Sequence, residues 1–262
     1  MINFDNIVKK VLKKWWKVLW KEDIYEIIDP ERKPEFQKKV DMVIYRMKAQ
    51  KVILSIKSGV YIVPTEEDKL LNQVDLMEKY YLWLVKKYIR YYVWNQYFLS
   101  GKKSLEIHMK DFSIPEKLVI ITRNLDKKIK VWNYEIIFKT ISGKSEWRKI
   151  NLFSKLYPMY IMKNIEWIDL KIAWLEHALL ETALMQENYE WVSLTLLVKA
   201  IKKYGTILDY ETLSEIWKYK YIMSFNRIKE ISKPLDSKLS QLCLDVIKQN
   251  WGLFIWEWLR GI

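Results

Sequence analysis

The sequence predicts an α+β chain of two domains, residues 1–65 and 66–262. Three observations carry that expectation. Residues 1–65 place three stretches of helical hydrophobic spacing around short β-rich runs. Residues 117–141 turn to strand-like runs. Beyond residue 169 the spacing is helical and Pro234 is the one proline left to interrupt it.

Asn3 to Lys14 carries Phe4, Ile7, Val8, Val11 and Leu12 at helical spacing and forms a first helix. Trp15 to Leu19 reads as a turn and a short bridging strand, and Lys21 to Ile28 as a second helix. Asp29-Pro30 and Lys33-Pro34 mark the following loop, because the residue before proline is pushed out of the helical region. Glu35 to Gln50 is a third helix, with Phe36, Val40, Val43, Ile44 and Met47 on one face. Its opposite face carries Lys38, Met42 and Tyr45, flanked by Lys39 and Arg46 on one side and Asp41 and Lys48 on the other. Val52–Ile56 and Val60–Val63 surround Lys57-Ser58-Gly59 and read as a hairpin.

Three helices followed by a hairpin are the layout of a winged helix-turn-helix. A third helix of this kind fills a DNA major groove, and its outward side chains reach bases and phosphates. The candidate DNA-contacting residues are therefore Lys38, Lys39, Met42, Tyr45 and Arg46, with Lys57 and Ser58 on the wing. Residues 1–65 hold 14 Lys+Arg and 8 Asp+Glu, nearly half of the chain's net +13 on a quarter of its length. Such an excess suits a polyanionic partner. The alternative is a winged helix used for protein contacts.

Pro64-Thr65-Glu66-Glu67-Asp68 is polar and proline-broken, which places the domain boundary there. Asp75 to Tyr92 reads as a helix and Asn95 to His108 as another helix or helical turn. Lys117 to Thr122 is a strand, Ile129 to Ile141 a hairpin, and Gly143 to Lys149 a polar loop. Asp169 to Glu187 reads as a helix through Leu170, Ala173, Leu175, Ala178, Leu179 and Ala183. Tyr189–Tyr204, Tyr210–Lys218, Tyr221–Ser232 and Lys238–Trp251 complete a mainly helical end.

Composition narrows the chemistry. Cys243 is the single cysteine, so an intramolecular disulfide framework and a cysteine-rich zinc site are excluded, and its apolar flanks predict a buried thiol. His108 and His177 are the only histidines and lie in no metal-binding spacing. No GxxxxGK[ST] loop or GxSxG elbow is present. Trp94 to Gly101 has the outline of the helix start of a nucleotidyltransferase, but the strand Leu118–Thr122 offers no carboxylate pair for magnesium, and Asp126 stands alone beyond it. The expectation is a protein with no catalytic role, cofactor or metal. Lys86, Lys87 and Arg90 break the most apolar stretch, so no transmembrane helix is expected and the chain reads as cytoplasmic. Those cations interleave with Trp83, Tyr88, Tyr91, Tyr92, Trp94 and Tyr97, a composition suited to stacking single-stranded nucleic acid. At helical spacing most of these rings pack into a core instead.

The chain has 14 tryptophans and 6 glycines, whereas glycine at about 7% would supply roughly 18. Several tryptophans sit where a turn wants glycine: Trp15, Trp16, Trp94, Trp132 and Trp167. One reading is that most of them are glycine codons, since some bacterial lineages read UGA as glycine. The other is an aromatic surface used for binding or packing.

Several stretches together resemble one family. Ser58-Gly59-Val60-Tyr61-Ile62-Val63 resembles the end of the wing in AbiEi-type antitoxins, the regulator half of type IV toxin–antitoxin systems. Tyr92 to Gly101 through Leu105-Glu106-Ile107-His108 is similar to that family's Gly-x-x-Ala-Leu…His-Gly segment, with Trp94 on its leading glycine and Phe98 departing from the small residue. Leu118–Thr122 and Glu135–Lys139 fit its strand order. Leu175-Glu176-His177-Ala178-Leu179-Leu180-Glu181 resembles its Leu-Glu-[KR]-[AT]-Leu-[LI]-Asp helix, with Glu181 in place of aspartate. The likeness covers roughly residues 1–190. It implies a repressor that binds double-stranded DNA at its own promoter, and a C-terminal domain that neutralises a nucleotidyltransferase-like toxin.

Overall fold

The computed structural model describes residues 3–14, 17–31, 33–145, 148–184 and 194–249. Trp15 and Trp16 lie outside the described residues, as do 185–193 and 250–251 of the expected helices. The chain is α+β and divides into two compact units, Met1–Tyr91 and Tyr92–Ile262.

The first unit opens with α1 (Phe4–Leu12), capped by the Asn3 side chain, which accepts from the Asn6 amide at 3.2 Å. β1 (Val18–Trp20) leads into α2 (Lys21–Ile28). A 3-10 turn, Pro34–Phe36, precedes α3 (Gln37–Ala49), and the wing follows as β2 (Leu54–Lys57) and β3 (Val60–Ile62). β3 is the central strand of the sheet, antiparallel to β1 and β2, with Ile62 opposite both Val18 and Leu54. Ile7, Val11, Ile24, Val40, Ile44, Met47 and Ile53 fill the core. This is a winged helix-turn-helix.

α4 (Gln73–Tyr92) belongs to this first unit, not beyond a boundary at residue 65. The acidic stretch that reads as a linker is tied down: Asp68 is fully buried, accepts from the Thr65 amide at 2.7 Å, and pairs with Lys79 at 2.6 Å. Further along α4, Lys87 pairs with Asp23 at 2.6 Å and the Trp20 ring packs on Tyr88 and Tyr91.

In the second unit β4 (Tyr97–Leu99) precedes α5 (Gly101–His108). β5 (Lys117–Thr122), β6 (Lys127–Val131) and β7 (Tyr134–Thr140) follow, then a separate hairpin of β8 (Ser142–Ser145) and β9 (Arg148–Asn151). After the single turn α6 (Phe153–Leu156) come β10 (Tyr160–Ile165) and β11 (Ile168–Ala173). The main sheet has six strands in the order β10-β11-β4-β5-β7-β6, with β11–β4 and β5–β7 parallel. α7 (Leu175–Leu184), α8 (Leu194–Tyr204), α9 (Tyr210–Lys220), α10 (Ile222–Ser232) and α11 (Ser237–Gln249) pack residues such as Leu180, Leu197, Phe225 and Val246 into one core with Phe98, Val119 and Ile137 of the sheet.

Three expectations are corrected. Residues 95–108 are not one helix: Tyr97, Phe98 and Leu99 form a strand buried on both faces. Residues 169–187 split likewise, with Leu170 and Ala173 on β11 and the helix beginning only at Leu175. A strand covered on both sides loses its polar alternation, and a short apolar run then mimics a buried helix. Of the expected polar loop 143–149, residues 143–145 and 148–149 pair within β8–β9, with Gly143 opposite Ile150 and Ser145 opposite Arg148, while 146 and 147 lie outside the described residues.

Candidate nucleic-acid interface

Helical periodicity gives α3 two faces. Val40, Val43, Ile44 and Met47 enter the core, so Lys38, Met42 and Tyr45 are carried outward one turn apart. Met42 is 64% and Tyr45 72% exposed, high for side chains of this kind. Lys38 is exposed beside them. The flanking cations are held on rings: Lys39 Nζ lies 4.5 Å from the centroid of Phe36, and the Arg46 guanidinium 4.3 Å from that of Phe4. Both remain exposed, and cation–π contact orders such side chains without neutralising them.

The approach to α3 is braced. Asp29 accepts from the Lys33 amide, and the Tyr25 hydroxyl donates to the Lys33 carbonyl, each at 2.6 Å. Pro34 then starts the 3-10 turn with its fixed φ. Lys21 Nζ meets Asp41 at 2.6 Å, linking α2 to α3. That hydrogen bond, against a little desolvation, raises the Lys21 ammonium above its ordinary value, so it stays charged at every physiological pH. Lys21, Glu22, Tyr25, Pro34 and Gln37 line a cleft of about 400 Å³ between these helices.

The wing is set by Gly59, whose φ of +75° is open to glycine at little cost. Its carbonyl accepts from the Lys21 amide at 2.9 Å, tying the wing tip to α2. Lys57 and Ser58 are exposed on this turn, where Ser55 Oγ donates to the Lys57 carbonyl at 3.2 Å. Within one unit the structure thus brings Lys38, Lys39, Met42, Tyr45 and Arg46 onto one helix, with Lys57 and Ser58 on the adjoining hairpin. Sequence reasoning misses Lys21 and Tyr25. Their position follows from the packing of α2 on α3, for which spacing along the chain carries no signal.

Several polar side chains of the second unit are held inside it. His177 is fully buried, with Nε2 2.9 Å from the Tyr221 hydroxyl, which in turn donates to Glu181. Burial and the Glu181 carboxylate push Tyr221 far above the ordinary phenol range. Burial lowers the His108 pKa, opposed by its contact at 2.9 Å with the Ala173 carbonyl. Both histidines are packed. Lys171, also buried, donates to the Asn95 carbonyl at 2.7 Å and to the Tyr157 hydroxyl, and lies over the Tyr97, Tyr157 and Tyr160 rings. Asp126 accepts from the Thr140 amide and hydroxyl, each at 2.8 Å. Cys243 is buried, which pushes its thiol up to about 12 and leaves it unreactive. Among the described residues no group of three or more His, Cys, Asp or Glu could hold a metal ion, and no helix is long and apolar enough to cross a membrane.

No protein-family model and no curated protein matches the chain. Among solved structures it is similar to the RV2827C protein of Mycobacterium tuberculosis, at 14% identity and a TM-score of 0.61, over 92% of this chain and 80% of that one. At that identity the likeness is one of fold.

Proposed function

We propose that the chain is a cytoplasmic DNA-binding autoregulator that recognises double-stranded DNA through α3 and the wing. The observation that carries this reading is the outward ridge of α3, where Lys38, Met42 and Tyr45 stand exposed with ring-anchored Lys39 and Arg46 along one side. Two cations fixed by aromatic rings reach phosphates with less loss of side-chain freedom than unsupported lysines. Service as the antitoxin of a type IV pair, with a nucleotidyltransferase-like toxin as partner and no enzymatic role of its own, rests on the resemblance of the segments around Gly59, Trp94 and Glu181.

The test is binding of the full chain to its own upstream DNA across a salt series. Removing one cation from the phosphate backbone should flatten the slope of log K against log salt by about 0.9. Lys38→Ala and Lys39→Ala are therefore each expected to weaken binding on every sequence and to reduce the slope by about one. Salt-insensitive binding, or none, would sink the reading. The protruding Met42 and Tyr45 suit a second reading, a protein-docking surface. Co-purification with a neighbouring gene product and no DNA shift would favour it.

A further inference from the structure

Of the seven described tryptophans (positions 20, 83, 94, 132, 167, 174 and 217), three have left-handed backbones: Trp94 (φ 54°), Trp132 (φ 55°) and Trp167 (φ 68°). Non-glycine residues take positive φ only a few per cent of the time, and bulky ones are outliers. Each of the three also occupies a position with a named glycine requirement. Trp94 is the second residue beyond the last helical residue of α4, the left-handed site at which helices terminate. Trp132 and Asn133 form the two-residue loop between Val131 and Tyr134, and only the first has positive φ. That is the pattern of a type II′ turn, which places glycine first. Glu166 and Trp167 join Ile165 to Ile168 with φ of 50° and 68°. That is a type I′ turn, in which glycine is favoured at the second place.

We infer that positions 94, 132 and 167 are glycine in the protein its host makes, encoded by UGA codons read as glycine. The same inference covers the inverted count of 14 tryptophans and 6 glycines. It does not extend to every tryptophan: Trp83 lies in the interior of α4, and the Trp174 indole donates to the Tyr160 carbonyl at 3.1 Å. The decisive experiment is peptide mass spectrometry of the protein from its native host, together with the codons of its gene. Glycine at all three positions, from UGA, is expected; tryptophan at any of them, or UGG, overturns the inference. An independent measurement uses the recombinant chain. A left-handed backbone strains any residue that carries a side chain, so Trp94→Gly, Trp132→Gly and Trp167→Gly should each raise Tm by about 2–8 °C. The comparator Trp83→Gly should lower it, because glycine weakens a helix interior. A triple variant no more stable than the chain as written also overturns the inference.

A different observation carries a second inference, which rests on the DNA-binding reading. On the outward face of α3 stand Lys38, Met42 and Tyr45, and the last two expose a thioether and a phenol ring there. Neither offers the paired donors that read guanine, nor the amide that reads adenine. Both suit the thymine C5-methyl group. We propose that Met42 and Tyr45 read thymine methyls at the centre of the site. Replacing thymine by deoxyuridine in the upstream duplex removes only those methyls. At fixed salt it should weaken the full chain's binding about fourfold for each methyl that is read, and Met42→Ala should shrink that penalty. Equal binding to both duplexes overturns this inference and leaves the DNA-binding reading standing. No binding to either overturns both.

Discussion

Asp68 has no exposed surface, and its carboxylate accepts from the Thr65 amide, Lys79 and the Tyr80 hydroxyl. Burial alone would push its pKa up, but these bonds outweigh it and hold the group at about 2 instead of 3.8. A depressed carboxyl stabilises the fold above its ordinary pKa, and the contribution is lost as pH falls through the folded value. Asp68→Asn should therefore cost about 2 kcal/mol at neutral pH, with the gap to the unaltered chain closing as pH approaches 2. Denaturant melts at several pH values check this; a gap unchanged in acid would place the loss elsewhere. Burial and the Asp68 bond raise Tyr80 in turn, so it remains a neutral donor throughout that range. The sequence shows Asp68 only as one of three acids in a polar stretch, because neither its burial nor its partner eleven residues away can be read from local pattern.

At the scale of elements, α3 and the wing depend on different physics. α3 is set by burial: Met47 is fully enclosed, and Met47→Ala should destabilise by about 2–5 kcal/mol, read as a lower denaturation midpoint. The wing is set by backbone conformation. A Cβ at Gly59 would meet nothing within 4 Å, yet φ is +75° there. Gly59→Ala should accordingly cost about 1 kcal/mol through strain alone, a penalty that Gly59→Asn should partly spare because asparagine tolerates this region. Equal destabilisation by both would refute the conformational explanation. These elements are legible because each carries a local signal: a one-sided helix, a proline-marked loop, a Ser-Gly turn. β4 and β11 carry none. Their apolar residues satisfy helical and strand templates alike, and only pairing with β5 on one side and β10 on the other decides between them.

For the whole molecule, the two units predict how the chain can be cut. A fragment of residues 1–91 keeps the Asp23–Lys87 pair and the packing of Trp20 on Tyr88 and Tyr91, all of which a fragment of residues 1–65 discards. The longer fragment should unfold cooperatively and at higher temperature than the shorter, as calorimetry would show. Equal melting of the two would restore the boundary to residue 65. By itself the sequence determined the α+β class, the helix order and wing of the first unit, the outward placement of Lys38, Met42 and Tyr45, and the glycine-like setting of Trp94, Trp132 and Trp167. All of these follow from residue spacing and turn chemistry, which act within a few residues. Tertiary structure alone decided that α4 joins the winged helix, that 97–99 and 168–173 are strands, and that Lys39 and Arg46 rest on Phe36 and Phe4. Those outcomes depend on which surfaces cover one another, and burial by a distant partner overrides local preference.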